Sequence, residues 1–207
     1  MIPKLSITQA HSIMGNNFIG PEELNKTSIF RVDNLDEYIP YSEKELLEKK
    51  NEYILIYKAS KLKDGNDVTI RALIDIFGKN PDIKEPCFYN QDWYEKELFM
   101  DRPLEEGWIF IRREVIEETR AVQPVELKEN HIFPTAVICT YAFFMCWLCL
   151  DIKLWYHDFI WCDDLDHNGD RIYVGKYHDV DGINKNGFSI HRHLALRRCY
   201  GCIDFTQ

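Results

Sequence analysis

Residues 132–150, IFPTAVICTYAFFMCWLCL, carry no charged side chain, and the reading of this run decides the fold. Its length is close to the ~20 residues that a membrane-crossing helix requires. Its chemistry points elsewhere. Pro134, Thr135, Thr140, Tyr141 and three cysteines interrupt the apolar surface, the flanks lack clustered lysine or arginine, and no second run of this kind exists. A helix that is apolar on every side is equally the mark of a core helix. The expectation is one central buried helix over about 134–150, with a membrane span disfavoured.

Downstream of this run the texture changes. From Lys153 short aromatic-rich segments alternate with Asn, Asp and Gly turns, the pattern of antiparallel hairpins. Phe159-Ile-Trp161 and Arg171-Ile-Tyr-Val174 flank the turn Asp166-His-Asn-Gly169, and a second hairpin is expected between 174–177 and 188–194.

Upstream, local signals mark helix starts. Ser6 or Thr8 can cap a short helix ending at Gly15, Pro21 stands at a first helical position, and Ser42 with Glu45 has capping-box spacing. Thr69 can cap a helix carrying Ile70, Leu73, Ile74 and Phe77 that stops at Gly78. Tyr53–Tyr57 and Trp108–Ile111 read as strands, residues 79–107 as mostly loop with one element near Trp93–Met100, and Arg113–Val122 as a helix. The fold class expected is therefore α+β: N-terminal helices and one buried apolar helix packed on a mainly antiparallel sheet formed largely by the C-terminal third. Residues 1–207 read as one domain, with a helical segment over 1–30 and a hairpin-rich His/Asp/Cys region over 151–207.

Composition narrows the function classes. An apolar fraction of 45% is enough for a packed core. The formal charge of −9 disfavours general attraction to nucleic acid, although Arg192, Arg197 and Arg198 could form a local basic patch. Seven cysteines, an odd number, and an N-terminus without a signal-peptide core fit reduced thiols in the cytoplasm.

Three constellations could carry chemistry. Asp164, Asp166, Asn168, Gly169 and Asp170 match the front half of a calcium loop, whose oxygens alternate around a sharp glycine turn. The match fails at the eighth and twelfth places, Arg171 and Gly175, so a hairpin turn explains the same residues. Five histidines lie between 157 and 193, and His157, Asp158, His178, Asp179, His191 and His193 are the candidate catalytic set. On a strand, His191 and His193 would share a face, the geometry by which imidazole pairs hold a divalent metal ion that activates water. Polar residues on the open face of a sheet explain them equally. Finally, Cys146-Trp-Leu-Cys149 and Cys199-Tyr-Gly-Cys202 have the local spacing of a four-thiolate zinc site, against which stands the burial expected of the first pair.

No nucleophile elbow, phosphate loop or dinucleotide fingerprint is present. The function expected is a non-enzymatic binding or accessory protein, its partner most simply another protein. The alternative is a metal-dependent hydrolase, phosphodiesterase or nuclease in type, built on the His/Asp cluster.

Overall fold

The structure, a computed structural model, describes residues 5–32, 37–179, 185–192 and 196–206. Local chemistry sets the helix starts as the sequence leads one to expect. In α1 (Ile7–Met14) Ser6 Oγ accepts from the Gln9 N–H at 3.2 Å while Gln9 Oε1 accepts from the Ser6 N–H at 2.9 Å. The strand β1 (Phe18–Ile19) leads into α2 (Pro21–Lys26), where Pro21 is the first helical residue and Glu23 accepts from the Gly20 N–H. After β2 (Phe30–Arg31), α3 (Glu43–Lys49) has the Ser42/Glu45 capping box.

Next come β3 (Tyr53–Lys58), β4 (Lys61–Leu62), the Thr69-capped α4 (Ile70–Phe77) and β5 (Gly107–Arg112). The segment 113–122 departs from the helix expected of it. Its N–H groups are taken by other strands and loops: Arg113 donates to Glu52 O, Ile116 to Cys202 O and Ala121 to Tyr200 O, leaving one 3-10 turn at Glu117–Thr119. Helical hydrogen bonding and these partners compete for the same donors, and the tertiary partners win. The element expected near Trp93–Met100 is a 3-10 turn, Leu98–Asp101.

A short α5 (Pro124–Leu127) precedes the apolar helix α6 (Ala136–Leu150). From Ala136 through Cys146 every residue of α6 is buried, and the helix ends on Asp151 in a left-handed conformation. Among the described residues no helix is long and apolar enough to cross a membrane.

The strands form two four-stranded sheets and a β2–β4 ladder. The first sheet has the order β1-β3-β5-β10, where β10 is Phe205–Thr206, and its β1–β3 pair is parallel. The second has the order β8-β7-β6-β9, with β6 (Phe159–Leu165), β7 (Arg171–Gly175), β8 (Ser189–His191) and β9 (Tyr200–Gly201). Here β6, β7 and β8 are antiparallel neighbours, so the expected hairpins are present, and β9 adds in parallel on the other side of β6. The fold is thus α+β with mainly antiparallel sheets. A second sheet built mostly from the first 112 residues stands beside the expected C-terminal one.

Helix α6 touches β6 and β7 of one sheet, β1 of the other, and α2 and α4. The second sheet is covered on both faces. Ile160, Cys162, Ile172, Val174 and Ile190 join the core around α6, whereas Phe159, Trp161, Tyr173 and Tyr200 pack with Leu127 and Phe133 on the opposite face. Side chains alternate between faces along a strand, so one sequence of hairpins serves two cores.

Candidate functional site

Beyond Cys146 the cover over α6 ends. Trp147, Cys149 and Leu150 are half-buried and Leu148 is 39% exposed, so the last turn of an entirely apolar helix opens into a groove. The end of α1, the start of β1, α2 and the end of α4 form the remaining walls, enclosing about 600 Å³. Phe18, Ile29, Ile76, Phe77, Leu148 and Leu150 make an apolar floor, and His11, Glu23, Lys26 and Lys84 stand among the polar lining.

The polar groups differ in what they have free. Glu23 is engaged by the Gly20 N–H, and Lys26 makes an exposed pair with Glu22 at 3.1 Å. The ammonium of Lys84 donates to Ile76 O at 3.0 Å and lies 5.1 Å from the centre of the Phe77 ring, while His11 stacks on Phe18. Burial, aided by the Glu23 charge, pushes the Cys149 thiol up to about 11, leaving it neutral and unreactive at pH 7. A concave apolar site with a few cations suits binding. It holds no nucleophile and base in contact.

The acidic turn is occupied by protein donors. Asp164 Oδ2 accepts from the Ala136 N–H at 2.6 Å and Oδ1 lies 2.9 Å from Arg102, so this carboxylate serves the start of α6. Asp166 Oδ1 accepts from the N–H groups of Asn168 and Asp170, each at 2.8 Å, and Oδ2 meets Arg192 Nη1 at 2.5 Å. Burial disfavours its charge, but Arg192 and the two backbone donors outweigh burial and hold Asp166 below the usual carboxylate range. The first and third places of the supposed calcium loop, Asp164 and Asp166, therefore face different partners. With Asn168 and Asp170 they form the β6–β7 hairpin turn, and among the described residues Asp164, Asp166 and Asp170 do not form a group with ligand atoms within 4.8 Å of one another.

His157 and His178 of the candidate catalytic set come together, but its placed members are engaged with other groups. The rings of His157 and His178 stack with centres 4.5 Å apart, presenting π faces to each other where a shared metal would need lone pairs. Asp158 is held by Arg120 through two bonds of 2.6 and 2.9 Å. Asp179 accepts from Lys176 at 2.9 Å, from Tyr156 at 2.5 Å and from the Asn186 N–H at 2.6 Å. Burial opposes its ionisation, yet these donors keep it below the ordinary range. His191 lies against Tyr173, and burial, followed by the charge of Arg197, lowers its pKa to about 4. His193 lies outside the described residues, so the His191/His193 pair has only one placed member.

The cysteine pairs do not meet as a zinc site among the described residues. Cys146 is buried within α6, where burial raises its thiol well above the ordinary value, and Cys199 and Cys202 flank β9 in the other core. Burial also pushes Cys202 up to about 12.

Among the described residues one group of His, Cys, Asp or Glu is placed so that it could hold a metal ion: Glu97, Asp166 and His167, with ligand atoms within 4.8 Å of one another. Glu97 is buried; its carboxylate accepts from the His167 N–H at 3.0 Å and lies 2.6 Å from His167 Nδ1. Arg192 lies 3.7 Å from Glu97 as well as against Asp166, and its guanidinium covers the Trp93 ring at 4.5 Å. Asp166 was a candidate from the sequence and His167 belonged to the histidine-rich stretch. Glu97 carried no local signal, being single and distant in sequence.

No protein-family model, curated protein sequence or solved structure matches this chain. Its geometry alone carries the functional reading. The groove escaped sequence reasoning because its walls come from four separated segments, and only the unbroken apolar character of α6 up to Leu150 hinted that an uncovered end would be sticky.

Proposed function

We propose that the protein is a non-enzymatic binding protein whose groove takes an amphipathic organic molecule, with an apolar body on Leu148, Leu150 and Ile76 and an acidic group toward Lys84 and Lys26. One observation carries this reading: the last turn of α6 leaves its apolar surface open at the floor of a concave site of about 600 Å³. Sites for small ligands typically enclose ~300–1,000 Å³ and combine apolar walls with a few polar groups. Lys26 is shared with Glu22, but the Lys84 ammonium is held by a neutral backbone carbonyl, so its charge is a local attraction for an anion on a chain of net charge −9.

A protein partner is the simplest expectation from composition. The large exposed apolar side chains Ile83, Leu98, Val125 and Ile132 stand on different segments, however, and singly exposed apolar residues are ordinary. The groove therefore favours a small occupant.

The probe for a test is 1-anilinonaphthalene-8-sulfonate, an apolar fluorophore with one anionic group. We expect saturable enhancement of its emission by the folded protein. Leu148→Asp, at a position exposed enough to leave folding intact, should weaken binding roughly tenfold or more, because the ligand would bury an unpaired charge. Lys84→Gln should weaken it about two- to fivefold. Equal binding by wild type and Leu148→Asp would remove the groove from the reading.

The Glu97–Asp166–His167 group favours a second reading, a metal-dependent hydrolase. Two carboxylates and one imidazole suit zinc or manganese and leave positions for water. Arg192 stands in that place and already supplies the positive charge. Calorimetric titration with manganese and zinc should accordingly give weak binding to wild type, and affinity at least roughly tenfold tighter for Arg192→Met, in which the competing cation is gone. No gain on removing Arg192 would leave the group as a structural ion cluster.

A further inference from the structure

We infer that the groove at the end of α6 takes an unbranched medium-chain fatty acid, its carboxylate at Lys84 and its saturated chain along Ile76, Leu148, Leu150 and Ile29. This rests on the binding reading above and narrows it from an amphipathic anion to one chemical class.

The body of the ligand is selected by which apolar atoms of the lining remain uncovered. Phe18 and Phe77 line the groove, but each is only 2% exposed. Phe18 has His11 stacked on it at 4.9 Å and Trp108 tilted against it at 5.4 Å. Phe77 stacks on Phe144 at 4.1 Å, and the Lys84 ammonium lies 5.1 Å from the centre of its ring. An aromatic ligand gains its extra attraction by meeting another ring face or edge, and these two rings have almost none left to offer. His11 is the exposed ring of the lining, and one of its faces already lies on Phe18.

The aliphatic lining is open by comparison. Leu148 is exposed and Ile29, Ile76 and Leu150 are half-buried. They come from three places, the residue before β2, helix α4 and the last turn of α6. A flexible chain of methylenes can follow such a surface, and each buried group adds to the hydrophobic gain whatever its orientation.

The head group is selected by charge. The Lys84 ammonium donates to Ile76 O at 3.0 Å, a neutral acceptor, so its charge remains to be matched and it stands beside the aliphatic surface. Lys26 is shared with Glu22, and Glu23 stands in the same lining. The lysines therefore offer one unshared positive charge, which a monocarboxylate matches and a phosphate dianion exceeds.

The test is displacement of 1-anilinonaphthalene-8-sulfonate from the full-length protein by hexanoate, octanoate and decanoate. The aromatic acid 2-naphthoate, nearly equal to decanoate in carbon count, and the cation decyltrimethylammonium serve as controls. We expect each added pair of methylenes to tighten competition about three- to tenfold, and decanoate to compete roughly tenfold better than 2-naphthoate. Lys84→Glu, at an exposed position, should weaken decanoate about tenfold and strengthen decyltrimethylammonium, a reversal that damage to the fold would not produce. Decanoate competing no better than hexanoate or 2-naphthoate, while the fluorophore still binds and Leu148→Asp weakens it, would overturn the fatty acid and leave the groove as a binding site. Fluorophore binding that Leu148→Asp does not weaken would remove both. An unchanged preference between decanoate and decyltrimethylammonium in Lys84→Glu, folded by circular dichroism, would overturn the placement of the carboxylate.

Discussion

His191 shows what a residue type conceals. In the sequence it is half of a strand-borne His-x-His pair; in the fold it is a neutral ring packed among Phe159, Tyr173 and Tyr177. Its pKa falls from 6.5 to about 4, chiefly through burial. The sign follows from proton binding: above pH 6.5 the ring is neutral in both folded and unfolded chains, and as pH drops toward about 4 the unfolded chain takes up a proton that the folded one refuses. Stability should therefore decline across that interval. Asp166 and Asp179, held below 3.8, lose their contributions only at lower pH, so urea melts of His191→Phe between pH 6.5 and 4 should show a flatter dependence than wild type. An unchanged slope would assign the acid sensitivity elsewhere. A motif records which atoms can bind a metal; whether they are already stacked or bonded is decided by residues far away in sequence, such as Gln91, whose amide lies 3.4 Å from His191 Nδ1.

Among the elements, α6 depends on a side chain from another strand. Thr135 at its N-terminus makes no capping bond, and Asp164 of β6 supplies the acceptor for Ala136 while pairing with Arg102. Asp164→Ala should cost about 1–3 kcal/mol in chemical denaturation, and Asp164→Asn, which retains an acceptor, distinctly less. A similar cost is expected of Gly175→Ala in β7: a Cβ there would lie 2.0 Å from the carbonyl oxygen of Asp158, and this backbone oxygen cannot yield cheaply. Relieving such an overlap typically costs ~1–3 kcal/mol, readable as a shifted urea midpoint with an unchanged slope. Elements were legible where their signals are local. The cap expected at Ser6 or Thr8, the Ser42 capping box, the Thr69 cap and the hairpin turn at 166–169 are all settled within a few residues. Segment 113–122 was not, because the acceptors that draw its N–H groups out of a helix belong to Glu52, Tyr200 and Cys202.

Across the whole molecule, one continuous apolar cluster runs from Leu5 to Ile203 and includes residues of both sheets as well as α6. Tryptophan fluorescence and far-ultraviolet circular dichroism should consequently report the same urea midpoint; two separated transitions would mean that the sheets unfold independently. The candidate site belongs to this scale too. The groove exists because α1, α2 and α4 stop short of covering the last turn of α6, and no single stretch of sequence states how far a neighbouring helix will reach. Glu97 meets Asp166 and His167 by the same kind of long-range placement.

The two sheets also share a strand source late in the chain. Residues 200–201 complete the second sheet against β6, residues 205–206 complete the first against β5, and Thr206 O accepts from the Tyr41 hydroxyl at 2.9 Å. During synthesis, a nascent chain halted before residue 200 would carry all of α6 but two unfinished sheet edges, with β5 and β6 each missing a partner. Strand edges of this kind recruit other chains. Both sheets are therefore completed only when residues 200–206 join β6 and β5, and before that step the two bare edges are open to pairing with other chains.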